Sequence, residues 1–171
     1  VMAVMAAVCL LTDPVSAKEP APDPDASQSE DAESLNHLLD PWMLEVLEGE
    51  RSFRSGSEEY RIDQLRAMVY GDEFPELILK AGKLTVMDLD KDGVNELVVW
   101  PAGGDEDTPE IGYTVGYFIF RRQGDTVYGY NPGSRLCNTL KADGTFSWAG
   151  SSYYWGFGSA RFTENGFEIE N

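Results

Sequence analysis

Apolar residues Leu35, Leu38, Leu39, Trp42, Met43, Val46 and Leu47 recur at three- and four-residue spacing, which predicts an amphipathic helix with one buried face. Asp40-Pro41 suits a restart of this helix, with Asp40 as N-cap and Pro41 at the first helical position, and Gly49 ends it. Tyr60, Ile62, Leu65, Met68 and Val69 predict a second helix that opens near Asp63 and stops at Gly71. Residues 51–56 read as loop, 74–79 as a short third helical turn, and Lys80-Ala81-Gly82-Lys83 as the turn into a first strand. From there the period changes. Leu84-Thr85-Val86-Met87 and Leu97-Val98-Val99-Trp100 are β-branched and apolar, hence strands. Residues 113–122 alternate as a long strand, and Gln123-Gly124-Asp125-Thr126 turns them back into 127–130. Lys141-Ala142-Asp143-Gly144-Thr145 and Glu164-Asn165-Gly166 carry further tight-turn signals between short aromatic strands. Helices first and strands afterwards predict an α+β domain. The expected architecture is two or three N-terminal helices packed on a twisted antiparallel β-meander, with an acidic loop between the first two strands.

The first 34 residues do not share this patterning. Residues 1–17 are an apolar run ending in the small residues Val15-Ser16-Ala17, so they are expected to be a signal peptide, truncated at its start because no basic stretch precedes it. Cleavage after Ala17 is favoured over lipidation at Cys9, since Ala6-Ala7-Val8 is a poor lipobox. The run is too short to span a bilayer. Residues 18–34 combine Pro, acid, Ala and Ser without a large apolar side chain, the composition of a disordered acidic tether. Residues 35–171 remain as one domain, long enough for an adequate core.

Charge narrows the partners. With 13 basic against 30 acidic residues the net charge is −17, which excludes a general nucleic-acid binder and argues against electrostatic docking on anionic lipid. Cys137 is the sole cysteine after the leader, so no internal disulfide is expected, and it reads as a small buried hydrophobe. His37, the lone histidine, reads as a surface or capping residue. The chain has no nucleophile elbow, no HExxH and no phosphate-cradling glycine loop, and the abundance of acids gives a carboxylate-based hydrolase no specific pair. An enzyme is not expected.

The candidate chemistry lies in Asp88-Leu89-Asp90-Lys91-Asp92-Gly93-Val94-Asn95-Glu96. Acids at every second position let one loop aim several carboxylates at a common centre, Gly93 permits the sharp turn, and Val94 would offer its carbonyl. An EF-hand loop closes with Glu at its twelfth position, which here is Val99, whereas the closing acid comes at the ninth, Glu96. The flanks are strands rather than helices. The reading is a strand–calcium loop–strand unit that binds one Ca²⁺ through Asp88, Asp90, Asp92, Val94 and Glu96. The plainer alternative is an acidic β-turn whose Asp side chains bond backbone N–H groups, although four carboxylates so close repel without a cation. Asp105, Glu106, Asp107 and Glu110 lie near enough in sequence to add a ligand, but read first as a solvated loop tip.

These residues resemble the calcium loops of FG-GAP and VCBS-type repeats in extracellular β-proteins, here in a single copy, so a propeller is not implied. The chain is also similar to small secreted proteins and lipoproteins of unknown function from Firmicutes. The likeness rests on residues 87–97, on Val127-Tyr128-Gly129-Tyr130 and on Leu140-Lys141-Ala142-Asp143-Gly144-Thr145-Phe146. It implies a secreted or cell-envelope setting on the extracellular side and no established activity. The expected function is an exported calcium-binding domain, monomeric, with a structural or adhesive role towards a cell-wall carbohydrate or a protein. The alternative is a carbohydrate- or peptide-binding module that uses the aromatic segment 148–157, with Trp148, Tyr153, Tyr154 and Trp155 as ligand-binding residues. Against it stands the reading that these aromatics fill the inner face of a sheet.

Overall fold

Ten strands and two short α-helices make up a computed structural model that describes residues 39–75, 77–103, 116–133, 139–151, 154–163 and 166–170. The leader, the tether, His37, the acids at 105–110, Cys137 and Tyr153 lie outside the described residues.

Pro41–Leu47 forms α1, entered from an extended Asp40 and with Trp42, Met43, Val46 and Leu47 buried, as the spacing predicts. A 3-10 turn at Ile62–Gln64 leads into α2, Leu65–Tyr70, which stops at Gly71 with φ 60°. Between the helices the chain departs from expectation. Phe53–Ser55 (β1) and Glu58–Tyr60 (β2) pair antiparallel around Gly56, where a loop is expected over 51–56 and Tyr60 is counted in the apolar period of the second helix. Three-residue strands are too short to show alternation. Residues 80–83 are likewise strand rather than turn, within β3, Leu79–Met87. The register shifts between Ala81 and Lys83, and at Gly82 a side chain would meet Ala102 at 2.8 Å, so this glycine marks a bulge with close backbone approach.

β3 pairs with β4 (Glu96–Gly103), β4 with β5 (Phe118–Gln123), and β5 with β6 (Thr126–Tyr130), all antiparallel. The far edge of β6 is taken by β1, in parallel, with Arg54 opposite Tyr128. The six-stranded order is therefore β2-β1-β6-β5-β4-β3. Because β1 occupies that edge, the chain beyond Tyr130 cannot pair beside β6. It builds a second one instead, in the order β10-β9-β8-β7, from Thr139–Leu140 (β7), Thr145–Ser151 (β8), Tyr154–Thr163 (β9) and Gly166–Glu170 (β10). The expectation of N-terminal helices on one β-meander is thus overturned: the described residues are mostly β, in sheets of six and four strands, with two short helices. The acidic loop follows the third strand, not the first.

Alternation along the strands sorts two cores. Leu84, Leu97, Val99, Phe118, Phe120 and Val127 meet the helices, Phe53 and Leu79 on one face. Val98, Tyr117 and Ile119 meet Leu89, Phe146 and Ala160 on the other, with Trp100, Tyr130, Trp148, Phe162 and Phe167 packed around them. Burying both faces of the larger sheet provides the apolar area that helices this short could not.

Candidate metal centre

The last register pair of the β3–β4 hairpin is Met87 opposite Glu96, so the acidic loop starts and ends across one ladder position. Side chains shape its turn. Asp88 Oδ1 accepts the N–H of Asp92 at 3.1 Å, Asp88 Oδ2 that of Gly93 at 2.9 Å, and Asp92 Oδ1 that of Val94 at 2.8 Å. Gly93, at φ 87°, adopts the left-handed backbone the turn requires. Leu89 anchors the loop, its side chain 1% exposed within the core between the sheets. The β7–β8 turn closes over it: a side chain at Gly144 would stand 3.0 Å from the Leu89 carbonyl oxygen. That turn is held by Asp143 Oδ1, which accepts the N–H and the hydroxyl of Thr145 and is thereby kept below the usual carboxylate range.

Glu96 shares the parity of Val98 and therefore points into the layer between the sheets, where it is 0% exposed. Its Oε2 accepts the Leu89 N–H at 2.8 Å. Its Oε1, like Asp90 Oδ1, is buried and accepts no hydrogen bond from any described residue. Burial pushes the Glu96 carboxyl up to about 7, against the pull of the Leu89 N–H and with the Asp90 charge adding to the rise. Asp88, Asp90 and Glu96 each offer a carboxylate oxygen within 4.8 Å of the others. Oxygens bound at 2.3–2.6 Å on opposite sides of a calcium ion stand about 4.6–5.2 Å apart, so these three fit one coordination shell. Carboxylate-only donors suit Ca²⁺ or Mg²⁺ over softer metals. Of the five residues read from sequence, the structure gathers these three. Asp92 stays on the rim, bonded to Val94, whose side chain is exposed.

Arg121 completes the site, and the sequence reading does not name it. It stands on β5 beyond the Leu97–Phe120 pair, hence across from Glu96. Its Nη1 donates to Asp90 Oδ2 and its Nη2 to Asp92 Oδ2, while Nε lies 3.8 Å from Glu96 Oε1, too far for a hydrogen bond. Burial opposes its charge, but the Asp90 hydrogen bond and the charges of Asp90 and Asp92 outweigh that, raising its pKa. The guanidinium also lies over the Phe162 ring, 4.9 Å from the centroid, and so bridges the two sheets. The signal that could find it is parity: Arg121 falls two residues after Ile119, on an apolar inward face.

The aromatic segment divides between two faces. Trp148 pairs with Gly156 and turns inward, half-buried. Trp155 and Phe157 turn outward, 66% and 56% exposed, beside each other edge to face. The inner-face reading therefore fits Trp148 but not these two, and Trp148 and Trp155 do not share a surface. Tyr154 lies on β9. No helix among the described residues is long and apolar enough to cross a membrane. Compared with protein-family models, curated proteins and solved structures, the chain finds no match.

Proposed function

We propose that this chain is an exported calcium-binding domain of the cell envelope or extracellular space, in which one ion fastens the β3–β4 loop to the layer between the sheets. Its role on this reading is structural or adhesive. The observation that carries it is the pair of buried carboxylate oxygens, Asp90 Oδ1 and Glu96 Oε1, which accept no hydrogen bond from any described residue inside a cluster of calcium-shell dimensions. A buried acceptor without a partner costs free energy that a bound cation recovers. The apolar leader and acidic tether read from the sequence support the extracellular setting, where calcium sites have dissociation constants of about 10⁻⁴–10⁻³ M.

Calorimetric titration of the chelator-stripped full chain with CaCl₂, with melting curves before and after, tests this. One saturable site in that range is expected, stabilising the fold by about 1.4–2.7 kcal/mol at calcium ten- to a hundredfold above the dissociation constant. Absence of both heat and stabilisation would refute it.

A second reading draws on Trp155 and Phe157. Two adjacent exposed rings on an antiparallel sheet, among Thr145, Ser147 and Ser159 of the same face, suit stacking against a sugar of the cell wall. Retention on insoluble cell-wall polysaccharide should then be lost in Trp155→Ala with the melting temperature unchanged. Equal retention of variant and wild type would dismiss it.

A further inference from the structure

Resting on the calcium reading, the geometry points to Arg121 as the loop's own counter-cation, which holds the carboxylates when no ion is present and must withdraw for one to enter. Three observations converge on it. Its guanidinium touches Asp90 and Asp92 and reaches to 3.8 Å from Glu96, so it meets three of the four loop acids. It comes from a different strand, β5, so its position is set by the sheet and not by the loop. And it binds Oδ2 of Asp90 and Asp92 while Asp90 Oδ1 and Glu96 Oε1 accept no hydrogen bond from any described residue, so the guanidinium leaves unsatisfied the oxygens that a divalent ion taking its place would bind.

A divalent ion held by Asp88, Asp90 and Glu96 would share Asp90 with the guanidinium. Two cations cannot sit in contact in a half-buried layer without strong repulsion, which water screens poorly there. Ion entry therefore requires Arg121 to give up Asp90, and the ring of Phe162 already beneath it offers an alternative contact on the second sheet. This exchange has two consequences. The ion-free loop keeps its fold, since a single positive charge offsets part of the repulsion among four acids. The affinity for calcium is lowered, because ligand charge count tunes such sites and Arg121 removes one unit of it. Calcium occupancy and the contact between the two sheets then become linked.

The test is calcium titration of the full-length wild type, Arg121→Met and Arg121→Lys, with melting curves in EDTA. Methionine keeps the apolar stem and removes the charge. Lysine keeps the charge, loses the forked geometry, and serves if the methionine variant does not fold without calcium. Arg121→Met is expected to melt lower than wild type in EDTA yet bind calcium at least about tenfold more tightly, equivalent to about 1.4 kcal/mol, with Arg121→Lys in between. A purely structural arginine would lower the melting temperature without tightening the site. Equal or weaker calcium binding in Arg121→Met overturns the counter-cation role and leaves the calcium reading standing. Binding by Arg121→Met but not by wild type supports the role and overturns the calcium reading for the natural chain. Binding by neither overturns both.

Discussion

Glutamine at position 96 replaces the buried charge while keeping the shape, and the structure sets the size of the effect. Glu96 is fully enclosed, and its carboxyl is raised from 4.5 to about 7, a difference worth about 3 kcal/mol between its two protonation states. The sign follows from proton linkage. A carboxyl whose folded pKa lies above its unfolded value gives stability that is fully present below 4.5 and is lost as pH rises to about 7. Wild type without calcium therefore carries the full penalty at pH 8 and almost none at pH 4. Glu96→Gln keeps an acceptor for the Leu89 N–H and never ionises, so it escapes the penalty. Its new amide lies within reach of the cluster in which Asp90 Oδ1 accepts nothing. In EDTA near pH 8 the variant is expected to be more stable by up to about 3 kcal/mol, seen as a urea midpoint higher by about 1–3 M, and near pH 4 the two should coincide. In calcium the order should narrow or reverse, because only the wild type gains from the ion. If Glu96→Gln is instead less stable than wild type in EDTA near pH 8, the buried carboxylate is satisfied without an ion, its contact with Arg121 being sufficient, and the need for a cation at Glu96 Oε1 is refuted.

Three further outcomes follow from the same geometry. Gly129→Ala drives a methyl group into the edge of the Phe53 ring, which is fully buried and packed edge-on to Phe120, so a loss of about 1–3 kcal/mol in urea denaturation is expected. Gly144→Ala combines a φ of 78° with a 3.0 Å approach to the Leu89 carbonyl oxygen. It should cost about 1–2 kcal/mol and weaken calcium binding in the same titration, whereas unchanged affinity would show that the β7–β8 turn does not support the loop. Lowering the pH from about 8 to about 6 should weaken calcium binding with proton release on binding, since the proton competes for Glu96, whose carboxyl sits at about 7; calorimetry in buffers of different ionisation enthalpy measures it.

Local chemistry wrote the parts of this protein that depend on a few neighbouring residues. Acids at alternate positions before Gly93 specify the turn that Asp88 and Asp92 cap, and Asp40-Pro41 and Gly71 mark where α1 begins and α2 stops. The turns at Gly124 and Gly144 fall where Gly-Asp and Asp-Gly predict them. Each is a matter of backbone dihedrals and short-range hydrogen bonds, which a sequence window contains. Tertiary structure alone decided how strands far apart in the sequence meet. Nothing in the period of residues 53–55 says that they pair in parallel with β6, yet that pairing takes the place beside β6, and the last four strands form a second layer. The second layer in turn buries Glu96 and places Phe162 under Arg121, so the acid and the cation that define the site acquire their roles from residues far along the chain. Periodicity reports which face of an element is apolar, whereas the partner of that face is chosen by the burial of the whole chain at once.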